Sequence, residues 1–105
     1  MTKEFSERIP RYFRDSFSTI HEQLMTNKPY DCNLSGSTVT AVMFDSLRIY
    51  CANAGDSRAV LYTQGKKGGL KVTPLSEDHK PSLPKERMRV EKVGGRVNPI
   101  IGPQG

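Results

Sequence analysis

The sequence predicts an α+β fold, with antiparallel strands running between two helices. Three observations predict it. Apolar residues from Phe5 to Leu24 recur at helical offsets. Runs rich in branched and aromatic residues fill 37–75, separated by short turn-forming stretches. After Leu75 the pattern turns polar, then helical again, and closes on Gly94-Gly95.

In the first helix, Phe5, Ile9, Tyr12, Phe13, Phe17, Ile20 and Leu24 share one face, which reads as a core face. Pro10 lacks an N–H and disfavours helix at the residue before it, so the firm helix is expected from about 10 to 26. Asn27 and Pro29 end it. His21 falls off the apolar stripe and reads as solvated. Turn residues fill 28–36.

Strands are expected at Ser37–Phe44, Leu47–Asn53, Ser57–Thr63 and Leu70–Leu75. Asp45-Ser46 makes a tight turn, and Gln64–Gly69, with three glycines, a hairpin loop. The centrepiece is Ile49–Leu61. Two apolar runs are expected to face each other across a polar turn, where Gly55 takes a conformation that a Cβ would resist. Asp56 then stands at the end of a strand pair with its carboxylate pointing outward. The strands are apolar on both faces at their centres and so call for cover on both sides, more than 105 residues readily supply. A second helix is expected at about 83–93, with Ser82 as N-cap, Pro84 in its first turn and Gly94 as a left-handed cap. Arg96-Val97-Asn98 reads as a strand start, and 99–105 as a cut-off tail without period.

Composition narrows the function. A chain of 105 residues makes one small unit that buries roughly 60–70% of its unfolded surface. The net charge of +5 comes from 16 basic and 11 acidic residues spread along the chain, not from a basic face, so nucleic-acid binding is not expected. Two cysteines, Cys32 and Cys51, offer no zinc spacing. No apolar stretch approaches the ~20 residues needed to span a bilayer. Cytoplasmic or nuclear placement is expected.

Local motifs carry little chemistry by themselves. Gly55-Asp56-Ser57-Arg58-Ala59 mimics a nucleophile elbow, but a strand pattern follows where a helix should. Lys66-Lys67-Gly68-Gly69 lacks the Ser or Thr order of a phosphate loop. Asp78-His79-Lys80 reads as loop-ordering, with Asp78 bonded to nearby backbone. Asp56 alone is a turn former, since hard cations gather several oxygen ligands.

Four blocks, in order, give the chain a specific resemblance. They are Ser35-Gly36-Ser37-Thr38, Ala52–Leu61, Leu75–Pro81, and Glu86-x-x-Arg89 followed by Gly94-Gly95-x-Val97. Together they resemble the metal-dependent protein phosphatases of the protein phosphatase 2C type, over about residues 10–98. The resemblance implies part of a four-layer α-β-β-α sandwich of antiparallel sheets flanked by helices. It also implies hydrolysis of phosphoserine and phosphothreonine in proteins with two bridging Mg2+ or Mn2+ ions.

By that resemblance Asp56 is the one metal ligand here, at an additional, weaker site. The Ser-Gly-Ser-Thr and Gly-Gly blocks are structural. The family's Asp-Gly-His-Gly-Gly motif, its phosphate-gripping arginine and its later aspartates are missing, so no catalytic residue is assigned. The expectation is therefore one partial catalytic domain, 1–105, inactive alone. The complete protein is expected to be a monomeric phosphatase acting on phosphorylated proteins. The rival is a non-catalytic, phosphatase-like binding module.

Overall fold

The structure, a computed structural model, describes residues 2–27 and 29–102. The expected tail therefore lies partly outside the described residues. Helix α1 spans Lys3–Thr26, and strands β1 (Val39–Phe44), β2 (Ile49–Ala54), β3 (Val60–Gln64) and β4 (Leu70–Pro74) follow. Helix α2, Pro84–Lys92, closes the order. Helices at both ends of antiparallel strands make the chain α+β.

Helix α1 begins at Lys3, not near Pro10, which lies in its interior. The missing N–H leaves the Ser6 carbonyl without its i+4 donor, yet the proline φ suits a helix. Local anchors outweigh the loss. The Thr2 side chain caps the helix by accepting from the Phe5 N–H at 3.3 Å. Ser6 donates to the Lys3 carbonyl at 2.8 Å and accepts from the Arg48 guanidinium at the entrance to β2. Ile9, one residue before the proline, is 3% exposed.

Ile9 is the buried apolar residue among those described, and Ser6 the buried polar one. The core thus sits where the N-terminal half of α1 meets β2. The rest of the expected core face is open: Phe13 and Phe17 are half-buried, while Phe5, Tyr12, Ile20 and Leu24 are exposed. No strand residue is buried. The Cα radius of gyration is 18.0 Å, against about 13 Å for a compact chain of this length.

The strands form two separate two-stranded sheets. β1 pairs with β2 from Phe44↔Ile49 to Val39↔Ala54, and β3 with β4 from Val60↔Pro74 to Gln64↔Leu70. The expected hairpin between Ile49 and Leu61 is therefore not formed. β2 turns back on β1 through Asp45, whose carboxylate accepts from the Leu47 and Arg48 N–H groups at 2.6 and 2.8 Å. Beyond β2, the backbone groups that a β2–β3 ladder would need are bonded elsewhere. The Gly55 carbonyl takes the His79 N–H, the Ala59 carbonyl takes the Leu75 N–H, and the Ala59 N–H donates to the Ser76 hydroxyl, all at 2.9 Å. Gly55–Ala59 is the link between two hairpins.

Helix α2 is capped at Leu83, which gives no side-chain bond, so Ser82 is not its N-cap. Its end is a complete Schellman turn. Gly95 N–H bonds the Val90 carbonyl and Gly94 N–H the Glu91 carbonyl, each at 3.0 Å, with Gly94 at φ +85°. On its apolar positions, Val90 is half-buried, but Met88 and Val93 are exposed. Residues 96–98 form no strand, because their backbone finds no partner edge among the described residues.

Candidate functional site at the junction of the hairpins

The link between the hairpins is held by many hydrogen bonds. Its φ of +112° at Gly55 lies in the region that glycine alone enters readily. A Cβ there would also stand 2.7 Å from the Thr38 Cβ. The backbone of Gly55 is gripped on both sides. Its N–H donates to His79 Nδ1 at 3.1 Å, and its carbonyl accepts from the His79 N–H at 2.9 Å and from Asn53 Nδ2 at 3.0 Å.

Asn53, near the end of β2, is a hub. Its Oδ1 accepts from Thr40 Oγ1 on β1 at 2.7 Å, and its Nδ2 also reaches the Glu77 carbonyl at 2.9 Å. One amide thus ties β1, the link and the loop after β4 together. Further along the link, Ser57 and Thr38 share a hydroxyl–hydroxyl bond of 2.7 Å.

Arg58 clamps the Asp78 carboxylate with both arms, Nε–Oδ1 at 3.0 Å and Nη2–Oδ2 at 2.7 Å. Lys80 adds a second cation 3.7 Å from Asp78. The bonded Arg58 guanidinium holds the Asp78 carboxyl below its ordinary range against the opposing effect of burial, and Lys80 assists. Reciprocally, Asp78 raises the pKa of Arg58. Asp78 therefore orders its loop as expected, but through the Arg58 side chain and not through backbone.

Beside this clamp lies an open cleft of about 640 Å³ between the loop after β4 and α2. Arg58, Lys80, Lys85 and Arg89 line it, facing Glu77, Asp78 and Glu86. Each of the four cations pairs with one of these carboxylates. Glu86 is held below the ordinary carboxylate range chiefly by its bond from Arg89.

Asp56 is exposed at the tip of this braced link. Among the described residues, no three His, Cys, Asp or Glu side chains converge. The residues present therefore do not fit a dinuclear metal centre, which needs several carboxylates. The junction can hold a turn rigid and present one carboxylate.

The family model described as Protein phosphatase 2C matches residues 2–103. The chain belongs to the protein phosphatase 2C family. Among its relatives, probable protein phosphatase 2C 12 of Oryza sativa subsp. japonica is 39% identical over 82 residues, 78% of this chain and 21% of the relative. Probable protein phosphatase 2C 75 of Arabidopsis thaliana is 45% identical over 74 residues, 70% of this chain and 17% of the relative. Protein phosphatase 2C homolog 3 of Schizosaccharomyces pombe is 41% identical over 85 residues, 81% and 19% of the two chains. The chain thus spans about a fifth of the length of these curated relatives. No solved structure matches it.

Family membership makes the chain part of a protein phosphatase family that is generally metal-dependent. Among the described residues no helix is long and apolar enough to cross a membrane. Sequence reasoning missed Asn53 as a hub and His79 as an acceptor. The one available signal was the adjacency Asp78-His79-Lys80, which marks an ordered loop but not what it grips.

Proposed function

We propose that the complete protein carrying this segment is a Mg2+- or Mn2+-dependent phosphatase acting on phosphoserine and phosphothreonine in proteins, and that residues 1–105 alone do not turn over substrate. The family match across residues 2–103 carries the first part. The absence of a converging ligand set among the described residues supports the second. In this reading the segment supplies scaffold. Its braced link holds Asp56 where acids from other parts of the protein gather, and Asp56 contributes one ligand to a weaker cation site.

The test compares the product of the full coding sequence with the 105-residue chain, using phosphoserine and phosphothreonine peptides with and without Mn2+. Expected are turnover by the complete protein that EDTA abolishes, and none by the short chain. Turnover by the short chain overturns the scaffold reading. Inactivity of the complete protein overturns the phosphatase reading and leaves a phosphatase-like binding module in its place.

A further inference from the structure

We propose that His79 is a positioning residue for the Gly55–Asp56 turn, acting through the acceptor lone pair of Nδ1. In its activity arm this rests on the phosphatase reading above.

Gly55 cannot be fixed by its own side chain, because it has none and the space toward Thr38 admits none. Its backbone must be held from outside, and His79 does so from two directions: the imidazole Nδ1 takes the Gly55 N–H, and the His79 N–H returns to the Gly55 carbonyl. The two residues lie 24 positions apart in the chain. They therefore act as a bridge between the link and the loop after β4, with a ring nitrogen standing where a strand would offer a carbonyl. Asn53 shares the carbonyl side, but the N–H side belongs to His79. An N–H donor at Nδ1 requires the lone pair there, so the ring proton sits on Nε2.

Rotation about φ and ψ of Gly55 swings Asp56 directly, because Asp56 follows it. Ser57 and Arg58 are pinned to Thr38 and Asp78. The turn is thus fixed downstream by side chains and upstream by His79, with the Asp56 carboxylate between the two anchors.

The role reduces to one acceptor atom at one distance from the backbone, and substitutions separate it from bulk or charge. Asn places a carbonyl oxygen the same two bonds from Cβ as Nδ1, whereas Gln places it one bond further, near Nε2. Ala offers neither. The experiment uses the complete protein carrying H79N, H79Q and H79A, with two readouts: Mn2+-dependent phosphopeptide hydrolysis, and amide hydrogen exchange across residues 53–57.

Exchange is expected to rise about tenfold in H79Q and H79A, the ratio given by losing one ordinary hydrogen bond. H79N is expected to stay close to the parent. Hydrolysis follows the same order, with H79N rescued and H79Q not. Equal exchange in H79N and H79Q, or parent-like exchange in H79A, overturns the proposal. If H79A does not fold, the Asn–Gln comparison decides. If the parent protein shows no hydrolysis, the phosphatase reading fails, while the exchange data still decide the role of His79.

Discussion

Arg58 and Asp78 meet side-on across the junction, two parallel hydrogen bonds joining a side chain that is 60% exposed to one that is 9% exposed. That asymmetry in burial sets an asymmetry in what each loss does. Removing Arg58 strands a largely covered carboxylate with only Lys80 nearby, while removing Asp78 returns an exposed guanidinium to water. An uncompensated covered charge is the worse outcome. Urea midpoints are therefore expected in the order D78A above R58A, with the double variant R58A/D78A close to D78A and not additive. R58K keeps the charge but not the fork and should fall between parent and R58A. An R58A protein more stable than D78A would show that the clamp is not what orders the loop.

The same pair sets a pH dependence. The Asp78 carboxyl is lowered chiefly by Arg58, Glu86 by Arg89, and Asp45 by the backbone N–H of Leu47. A carboxyl whose folded pKa lies below its unfolded one stabilises the fold above the unfolded value. That contribution is lost as pH falls through the folded value. Stability should be flat toward neutrality and decline below about pH 4, the ordinary carboxylate range. In R58M the decline should be shallower, because Asp78 loses the largest of the effects that lower its pKa in the folded chain. Urea midpoints measured from neutrality down into the acid range check both.

Gly55 and Gly36 provide a matched pair of substitutions. Gly55 combines φ +112° with a Thr38 side chain in the path of any Cβ, whereas Gly36 has nothing within 4 Å. G55A should cost at least about 2 kcal/mol, from left-handed strain plus overpacking. G36A should stay within about 0.5 kcal/mol. Equal costs in thermal or urea unfolding would remove the argument that the link is conformationally demanding.

Local chemistry made several features legible in the sequence, and distant partners hid the others. The left-handed glycines at 55 and 94 and the tight turn at Asp45 depend on a few adjacent residues, and each is found. Pairing of β2 with β1, and not with β3, depends on where Leu75, Ser76 and His79 return to bond the link, some twenty residues later. The start of α1 was misplaced because Pro10 is a local signal, while Ile9 burial and the Ser6–Arg48 bond are tertiary ones. Asp56 was identified by resemblance. The Arg58–Asp78 clamp and the Asn53 hub carry no spacing rule that a single sequence reveals.

Asp56 separates structure from function within the same turn. It is exposed, so D56N should leave stability within about 0.5 kcal/mol of the parent. Under the proposed function, the complete D56N protein should need more Mn2+ for half-maximal hydrolysis. A Mn2+ titration indistinguishable from the parent would remove Asp56 from the cation site while leaving its place in the fold intact.

The hairpins themselves predict how the 105-residue chain behaves in isolation. With Ile9 as its buried apolar residue, and Val42, Phe44, Ile49, Tyr62 and Val72 exposed on the strands, hydrophobic burial is small. Two-stranded sheets with open faces are marginal in water, and their unpaired edges recruit other chains. The isolated chain should bind a hydrophobic dye such as ANS, unfold without a sharp transition, and associate as concentration rises. Helical far-UV signal from α1 should persist, since that helix is capped at Thr2 and braced by Glu4–Arg8 and Lys3–Glu7 ion pairs. Calorimetry and sedimentation across a concentration series distinguish the outcomes. A monodisperse monomer with one cooperative transition would mean that the apolar faces find each other within a single chain, contrary to the extended arrangement seen here.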